Sequence, residues 1–281
     1  MGRRCPLSST GVSPSIGVIG LGKMAQALVE PLLSSGAIAS EQLMAVVGRA
    51  ETAVALQQGA FSSCPIHPSG SAAAAAVWTA PLQLLAIKPQ QVEAVASSVP
   101  SVDGSPLLVS VLAGVNLKRL QRLFPGHRVV RAVPNTPALV GQGLTALAWG
   151  ENISAVQREQ VQALFAGVGE VLELPEEKLD AFLALTSSGP AFVALVAEAM
   201  ADGAVAAGLP RDLAHRLAHR TLAGSAALLD QRQLHPATLK DMVTSPGGTT
   251  IAGVRALERG GLRSALMEAV IAAAERSREL A

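Results

Sequence analysis

The amino-acid sequence predicts an α/β chain with an N-terminal parallel sheet and an all-helical C-terminal domain. Three observations predict it. Short apolar runs alternate with Ala-rich helical stretches from Ile16 to Pro175; the runs show no clear polar alternation; and strand-like runs stop after Pro175. The runs are residues 16–20, 43–47, 82–87, 107–112 and 128–133. Strands covered by helices on both faces read this way, and helical spacers of 10–15 residues indicate right-handed βαβ units. A weaker pair, 144–149 and 170–174, flanks a helix near 154–165 and is expected at the edge of the same sheet.

From Glu176 onward only helical runs follow, punctuated by Ser188-Gly189-Pro190, Gly208-Leu209-Pro210, His235-Pro236, Pro246-Gly247-Gly248 and Gly260-Gly261. Residues 190–209 are almost all small and apolar. A helix apolar on nearly every face is buried on nearly every face, so this region is expected to pack against a second subunit. Residues 1–14, rich in Ser and Pro, are expected to be a disordered tail. The domains predicted are therefore 1–14, 15–175 and 176–281.

The chain has 281 residues, with 22 Lys plus Arg against 21 Asp plus Glu. This near balance leaves no basic excess for nucleic acid or an anionic membrane surface. Cys5 and Cys64 make neither a disulfide framework nor a metal site. No metal is expected. The longest uncharged run, residues 68–87, contains Gly70 and Pro81 and reads as helix, turn and strand, not as a membrane span. With no apolar run after Arg3-Arg4, the expected location is cytoplasmic.

The first informative segment is Ile16-Gly17-Val18-Ile19-Gly20-Leu21-Gly22-Lys23-Met24-Ala25. It is a strand, a Gly-x-Gly-x-x-Ala turn and a helix start. Gly20 permits the tight turn, Gly22 lets backbone amides approach a pyrophosphate, and Ala25 keeps helix and sheet close. Gly20, Leu21, Gly22, Lys23 and Met24 are thus read as cofactor-binding in a Rossmann-type domain. After the second run the sequence is Val47-Gly48-Arg49-Ala50, with no acid before Glu51. An acid there reads a ribose 2′-hydroxyl, whereas an Arg without one leaves room for a 2′-phosphate. Gly48 and Arg49 therefore favour NADPH, with NADH as the alternative.

Three further stretches raise the specificity: Leu85-Ala86-Ile87-Lys88-Pro89-Gln90, Val130-Arg131-Ala132-Val133-Pro134-Asn135-Thr136-Pro137 and Val243-Thr244-Ser245-Pro246-Gly247-Gly248-Thr249-Thr250-Ile251. With Ser188-Gly189-Pro190-Ala191 between the last two, the chain resembles the pyrroline-5-carboxylate reductases from Ile16 to Leu280. The resemblance implies NAD(P)H-dependent reduction of 1-pyrroline-5-carboxylate to L-proline, the last step of proline synthesis. It implies a homodimer through the helical domain, with decamers as a further assembly. It places Ala86, Lys88, Pro89 and Ala113 along the cofactor, and Thr249 and Thr250 at the substrate. Three positions depart from the family pattern: Ser187 replaces a Gly, Met242 an Asn, and Ala73 an Asn that commonly reaches the adenine ribose.

Residues 245–251 make chemical sense by themselves. Backbone amides at a Gly-Gly step before a helix form a carboxylate site. Amides of Gly248 and Thr249 would hold the substrate carboxylate, and the Thr250 hydroxyl would reach and polarise the ring nitrogen as the catalytic group. Ser188 heads another helix and is a second substrate candidate. Glu176 is a third, although an acid at a helix start also complements the helix dipole. Asn135, between two prolines, is expected to pin a turn. His215 and His219 are read as a solvated helix face. The competing readings are a reductase of a related cyclic imine or β-hydroxy acid, and a non-catalytic NADP-binding scaffold.

Overall fold

The computed structural model describes residues 16–101 and 104–280. The expected tail lies outside them. Eight strands form one sheet: β1 (Ile16–Ile19), β2 (Leu43–Val47), β3 (Ile66–Pro68), β4 (Leu82–Leu85), β5 (Leu107–Ser110), β6 (Arg128–Val133), β7 (Gly143–Trp149) and β8 (Gly169–Glu173). Their order is β3-β2-β1-β4-β5-β6-β7-β8.

Each central strand splits its apolar residues between two layers. Ile16, Val18, Leu82, Leu84, Leu107, Val109, Val130 and Ala132 face one layer. There they meet α1 (Lys23–Ser34) through Leu28 and Leu32, and α5 (Ala155–Ala166) through Leu164 and Phe165. Ile19, Leu85, Leu108 and Val129 face the other layer, against Trp78, Val92, Leu120 and Phe124. That layer comprises the 3-10 segment Ala72–Thr79, α3 (Val92–Ala96) and α4 (Leu117–Leu123). Leu85 and Leu108 are fully buried, which stabilises by about 1.5–3 kcal/mol apiece. Two-sided burial is why these strands read as continuous apolar runs.

The sheet departs from the sequence reading in two places. β3 is an extra edge strand beside β2, its three residues ending on Pro68. Pro is tolerated there because an outer edge has no neighbour waiting for its missing N–H. The sheet is also not wholly parallel: β7 runs antiparallel to β6, while β8 runs parallel to β7. The connection from Val133 to Gly143 is too short for a parallel crossover. Only β8 of the weaker pair is an edge strand. The α5 helix begins at a capping box in which Ser154 and Gln157 satisfy each other's backbone amides.

The described chain falls into two compact units, 16–187 together with 274–280, and Ser188–Ala273. Strand-like sequence ends at Pro175, but α6 (Leu179–Thr186) stays with the sheet because Leu179, Phe182 and Leu183 pack on Val133, Ala146 and Ala148. The second unit holds α7 (Gly189–Ala206), α8 (Arg211–Gln231), α9 (Pro236–Met242), α10 (Thr249–Arg259) and the start of α11 (Leu262–Glu279). Its buried centre is built from small residues, Ala201, Ala214 and Ala218. Val193, Leu195, Met267 and Ile271 stay exposed, and α7 and α8 border a groove of about 930 Å3.

Candidate active site

In the sheet unit, four strands end at one level. Gly20 N donates to Val46 O at 2.8 Å, Ala86 N to Ile19 O at 2.8 Å and Val111 N to Leu85 O at 3.0 Å. The chain turns from β1 toward β2 and β3 on one side and resumes with β4 and β5 on the other. Ligands of open α/β sheets bind at such a switch point, beyond the carboxyl ends of the strands. Gly20–Met24, Gly48–Arg49, Ala86–Pro89 and Ala113 all follow these strand ends.

Gly20 has φ +89, and a Cβ there would lie 2.8 Å from Ala86 O. Only glycine meets both conditions. Gln26 braces the turn by donating from Nε2 to Leu21 O at 2.8 Å. Leu21 is buried and Ala25 fully so. Gly22 precedes α1 without a side-chain cap, and no atom lies within 4 Å of where its Cβ would be. Lys23 is exposed and Met24 half-buried at the start of α1, where first-turn amides have no partner within the helix, the arrangement that receives a phosphate. Gly48 is equally open. Arg49, exposed, sits at the N-terminus of α2 (Ala50–Gln57). The exposed Lys88 begins the 3-10 turn Pro89–Gln91, and Ala113 is exposed beside the buried Gly114. These residues fit a dinucleotide.

In the helical unit, α10 starts at Thr249, after Gly247 with φ +68. The amide assignment needs one correction. Gly248 N donates to Ser245 O at 3.1 Å, closing the turn. Its N–H is therefore spent, and the amides offered at the helix start are those of Thr249 and Thr250. A Cβ on Gly248 would collide with Ser245 Oγ. Thr249 is exposed and Thr250 half-buried. Ser188 precedes α7 and is half-buried, without a capping bond from its side chain.

Glu176 is committed to internal partners. Its Oε1 accepts from Leu117 N, at the start of α4, at 2.7 Å and lies 3.3 Å from Arg131 Nη1. The structure therefore gives this carboxylate, a substrate candidate in the sequence, a helix terminus and a cation to neutralise. Asn135 pins its turn as expected: Nδ2 donates to Thr186 O at 2.9 Å and Oδ1 accepts from Leu144 N at 2.8 Å. The unusual Ser187 adds a bond from Oγ to Pro134 O at 3.0 Å. Sequence reasoning passed over Arg131, whose signal was a lone cation inside Val-Val-Arg-Ala-Val. His127 is buried against Trp78 and Phe124, with Nε2 3.1 Å from Gln83 Oε1.

Comparison with known proteins extends over both units. Residues 176–280 match a family model described as pyrroline-5-carboxylate reductase dimerisation. Residues 15–114 match one described as NADP oxidoreductase, coenzyme F420-dependent. The pyrroline-5-carboxylate reductase of Synechocystis sp. is 44% identical over 96% of this chain and 99% of its own. That of Glycine max is 42% identical over 95% and 96%. A crystal structure of the Plasmodium falciparum pyrroline carboxylate reductase with NADP bound superposes with a TM-score of 0.85 at 27% identity, covering 95% of this chain and 98% of that one. Among the described residues, one helical stretch, Glu176–Ala206, is long and apolar enough by composition to cross a membrane. It falls inside the match to the dimerisation model, where apolar helix faces are what a subunit contact requires. With the nucleotide-binding turn, the SPGGTT helix start and the dimerisation region in one chain of matching length, the protein belongs to the pyrroline-5-carboxylate reductase family.

Proposed function

We propose that the protein reduces 1-pyrroline-5-carboxylate to L-proline with NAD(P)H, preferring NADPH. The observation that carries this reading is that the likeness to named reductases runs through nearly the whole chain at 44% identity. The sheet unit forms the nucleotide-binding part, and Ser188–Ala273 the substrate and dimerisation part. Two copies associate through the helices, and the family resemblance adds decamers of such dimers. Cytoplasmic location is the reading that sparse cysteine usage favours.

The amides of Lys23 and Met24 at the α1 start hold the pyrophosphate, and Gly20, Leu21 and Gly22 shape the turn beneath it. Gly48 leaves space for a 2′-phosphate and Arg49 supplies the opposing charge. Ala86, Lys88, Pro89 and Ala113 follow β4 and β5 and face the nicotinamide half. When bound, the nicotinamide supplies a hydride to the imine carbon. Thr249 and Thr250 hold the substrate carboxylate with their amides, aided by Ser188. The Thr250 hydroxyl donates to the ring nitrogen, orienting and polarising the C=N bond. Such a hydroxyl is a poor acid, so its role is to hold the nitrogen and relay a proton from water. Fixing the imine against the cofactor is the larger contribution to rate.

Purified protein is expected to oxidise NADPH only when 1-pyrroline-5-carboxylate is added. Thr250→Val is expected to lower turnover by about one to three orders of magnitude, the scale of losing a positioned donor, while leaving NADPH affinity intact. Absence of turnover with either dinucleotide overturns the reading. An unchanged rate in the variant removes Thr250 from the mechanism.

A further inference from the structure

Arg131 lies in β6 at 3% exposure. It pairs in register with Ser110, the last residue of β5, and so stands level with that strand's carboxyl end. Its Nη1 is 3.3 Å from Glu176 Oε1 and its Nη2 3.7 Å from Asp180 Oδ1. Both carboxylates pass the connection on. Glu176 Oε1 accepts from Leu117 N, where the loop after β5 enters α4. Asp180 Oδ1 accepts from Ser277 Oγ at 2.7 Å, and Ser277, on α11, is itself buried at 3%.

One turn beyond Ser277, the backbone of Leu280 lies on Gly114. A Cβ at Gly114 would be 2.6 Å from Leu280 O and 2.7 Å from its carbonyl carbon. Gly114, at φ +70, is buried beneath this contact, while Ala113 just before it is exposed. The loop after β5 is thus held at both ends: Gly114 by Leu280, just past α11, and Leu117 by Glu176. Arg131 joins the two holds. A buried ion network is an expensive route to stability, because desolvation cancels much of its attraction. What it supplies is a fixed geometry.

We propose that Ser277, Asp180 and Arg131 are positioning residues for the dinucleotide, setting the height at which the 111–116 loop presents Ala113 to the nicotinamide half. This rests on the cofactor reading above. Pyrophosphate at the β1 turn and a 2′-phosphate beside Arg49 place the adenosine half over β2. The other half then falls over β4 and β5, where this loop lies.

The test uses the full chain, titrated with NADPH by calorimetry and assayed at steady state. Ser277→Ala and Asp180→Asn are each expected to raise the NADPH Kd and KM about 3- to 10-fold, the usual scale for residues that act through others. Turnover at saturating NADPH stays within about twofold, since the substrate-polarising group is untouched. Ser277→Thr, which keeps the hydroxyl, restores the affinity. If Ser277→Ala does not fold, Asp180→Asn decides, because it preserves size and the Oδ1 acceptor. Variants that lose only resistance to urea, with the NADPH Kd unmoved, overturn the positioning role alone. A wild-type chain that binds neither dinucleotide overturns the proposed function instead.

Discussion

The two units solve the burial problem differently. The sheet unit encloses its large side chains: Phe124, Phe165, Leu85, Leu107, Leu108 and Leu120 are fully buried. The helical unit buries alanines and leaves Val193 at 55% and Leu195 at 67% exposure in the single chain. One unit closes its own core. The other has a core that only a second copy of the chain completes, under the assembly proposed above. The sheet unit therefore carries its stability within itself, whereas the helical unit, in that assembly, carries it as a function of concentration.

The most forceful way to break this contrast is to charge the open helix face. Leu195→Glu is expected to weaken self-association by about 3–5 kcal/mol, the scale of an uncompensated buried charge. Sedimentation should show dissociated chains while NADPH still binds. An unchanged association state would mean that the α7 face is not the one covered. A smaller effect sharpens the other side. Arg49→Ala is expected to weaken NADPH about tenfold, roughly the value of a charge-assisted contact, with NADH little changed. Equal losses would show that Arg49 does not read the 2′-phosphate.

The smallest effect concerns acid. His127 is neutral in its buried site, because desolvation holds its pKa below the ordinary 6.5. The unfolded chain takes up this proton as pH falls through 6.5, and the folded chain does so only at lower pH. The His127 contribution to stability is therefore full above 6.5 and declines below it, by at most about 1.4 kcal/mol per pH unit for one proton. Urea midpoints followed by circular dichroism between neutral pH and pH 5 should fall less in His127→Asn than in the wild type.

What could be read in advance follows the same division. The five central strands were legible because each is walled by helices on both faces, which fixes composition locally. β3 was not, since a three-residue strand flanked by Pro65 and ending on Pro68 carries no strand signal. Its pairing with β2 is a tertiary outcome. The reversal at β6–β7 hides in a Pro-rich connection that reads as a loop. At the candidate site, Gly20 and Gly22 announced themselves through spacing. The spent amide of Gly248 did not, because a turn bond back to Ser245 depends on the φ of Gly247. Arg131 left a signal, a lone cation in an apolar run, that was passed over. Its partners on Glu176, Asp180 and, through them, Ser277 come from distant segments, and one-dimensional periodicity holds no record of such meetings.

The placement of the indoles has a practical consequence. Trp78 stacks on Phe124 with ring centroids 6.2 Å apart, and Trp149 lies under Arg158, whose guanidinium carbon is 4.8 Å from the ring centroid. Both belong to the sheet unit, and the chain has two Trp and no Tyr. Ultraviolet-excited emission is therefore a private reporter of the nucleotide-binding part, to which the helical part is optically silent. A denaturation curve from emission should be insensitive to protein dilution even where the ellipticity curve is not, and the gap between the two would measure how independently the halves melt.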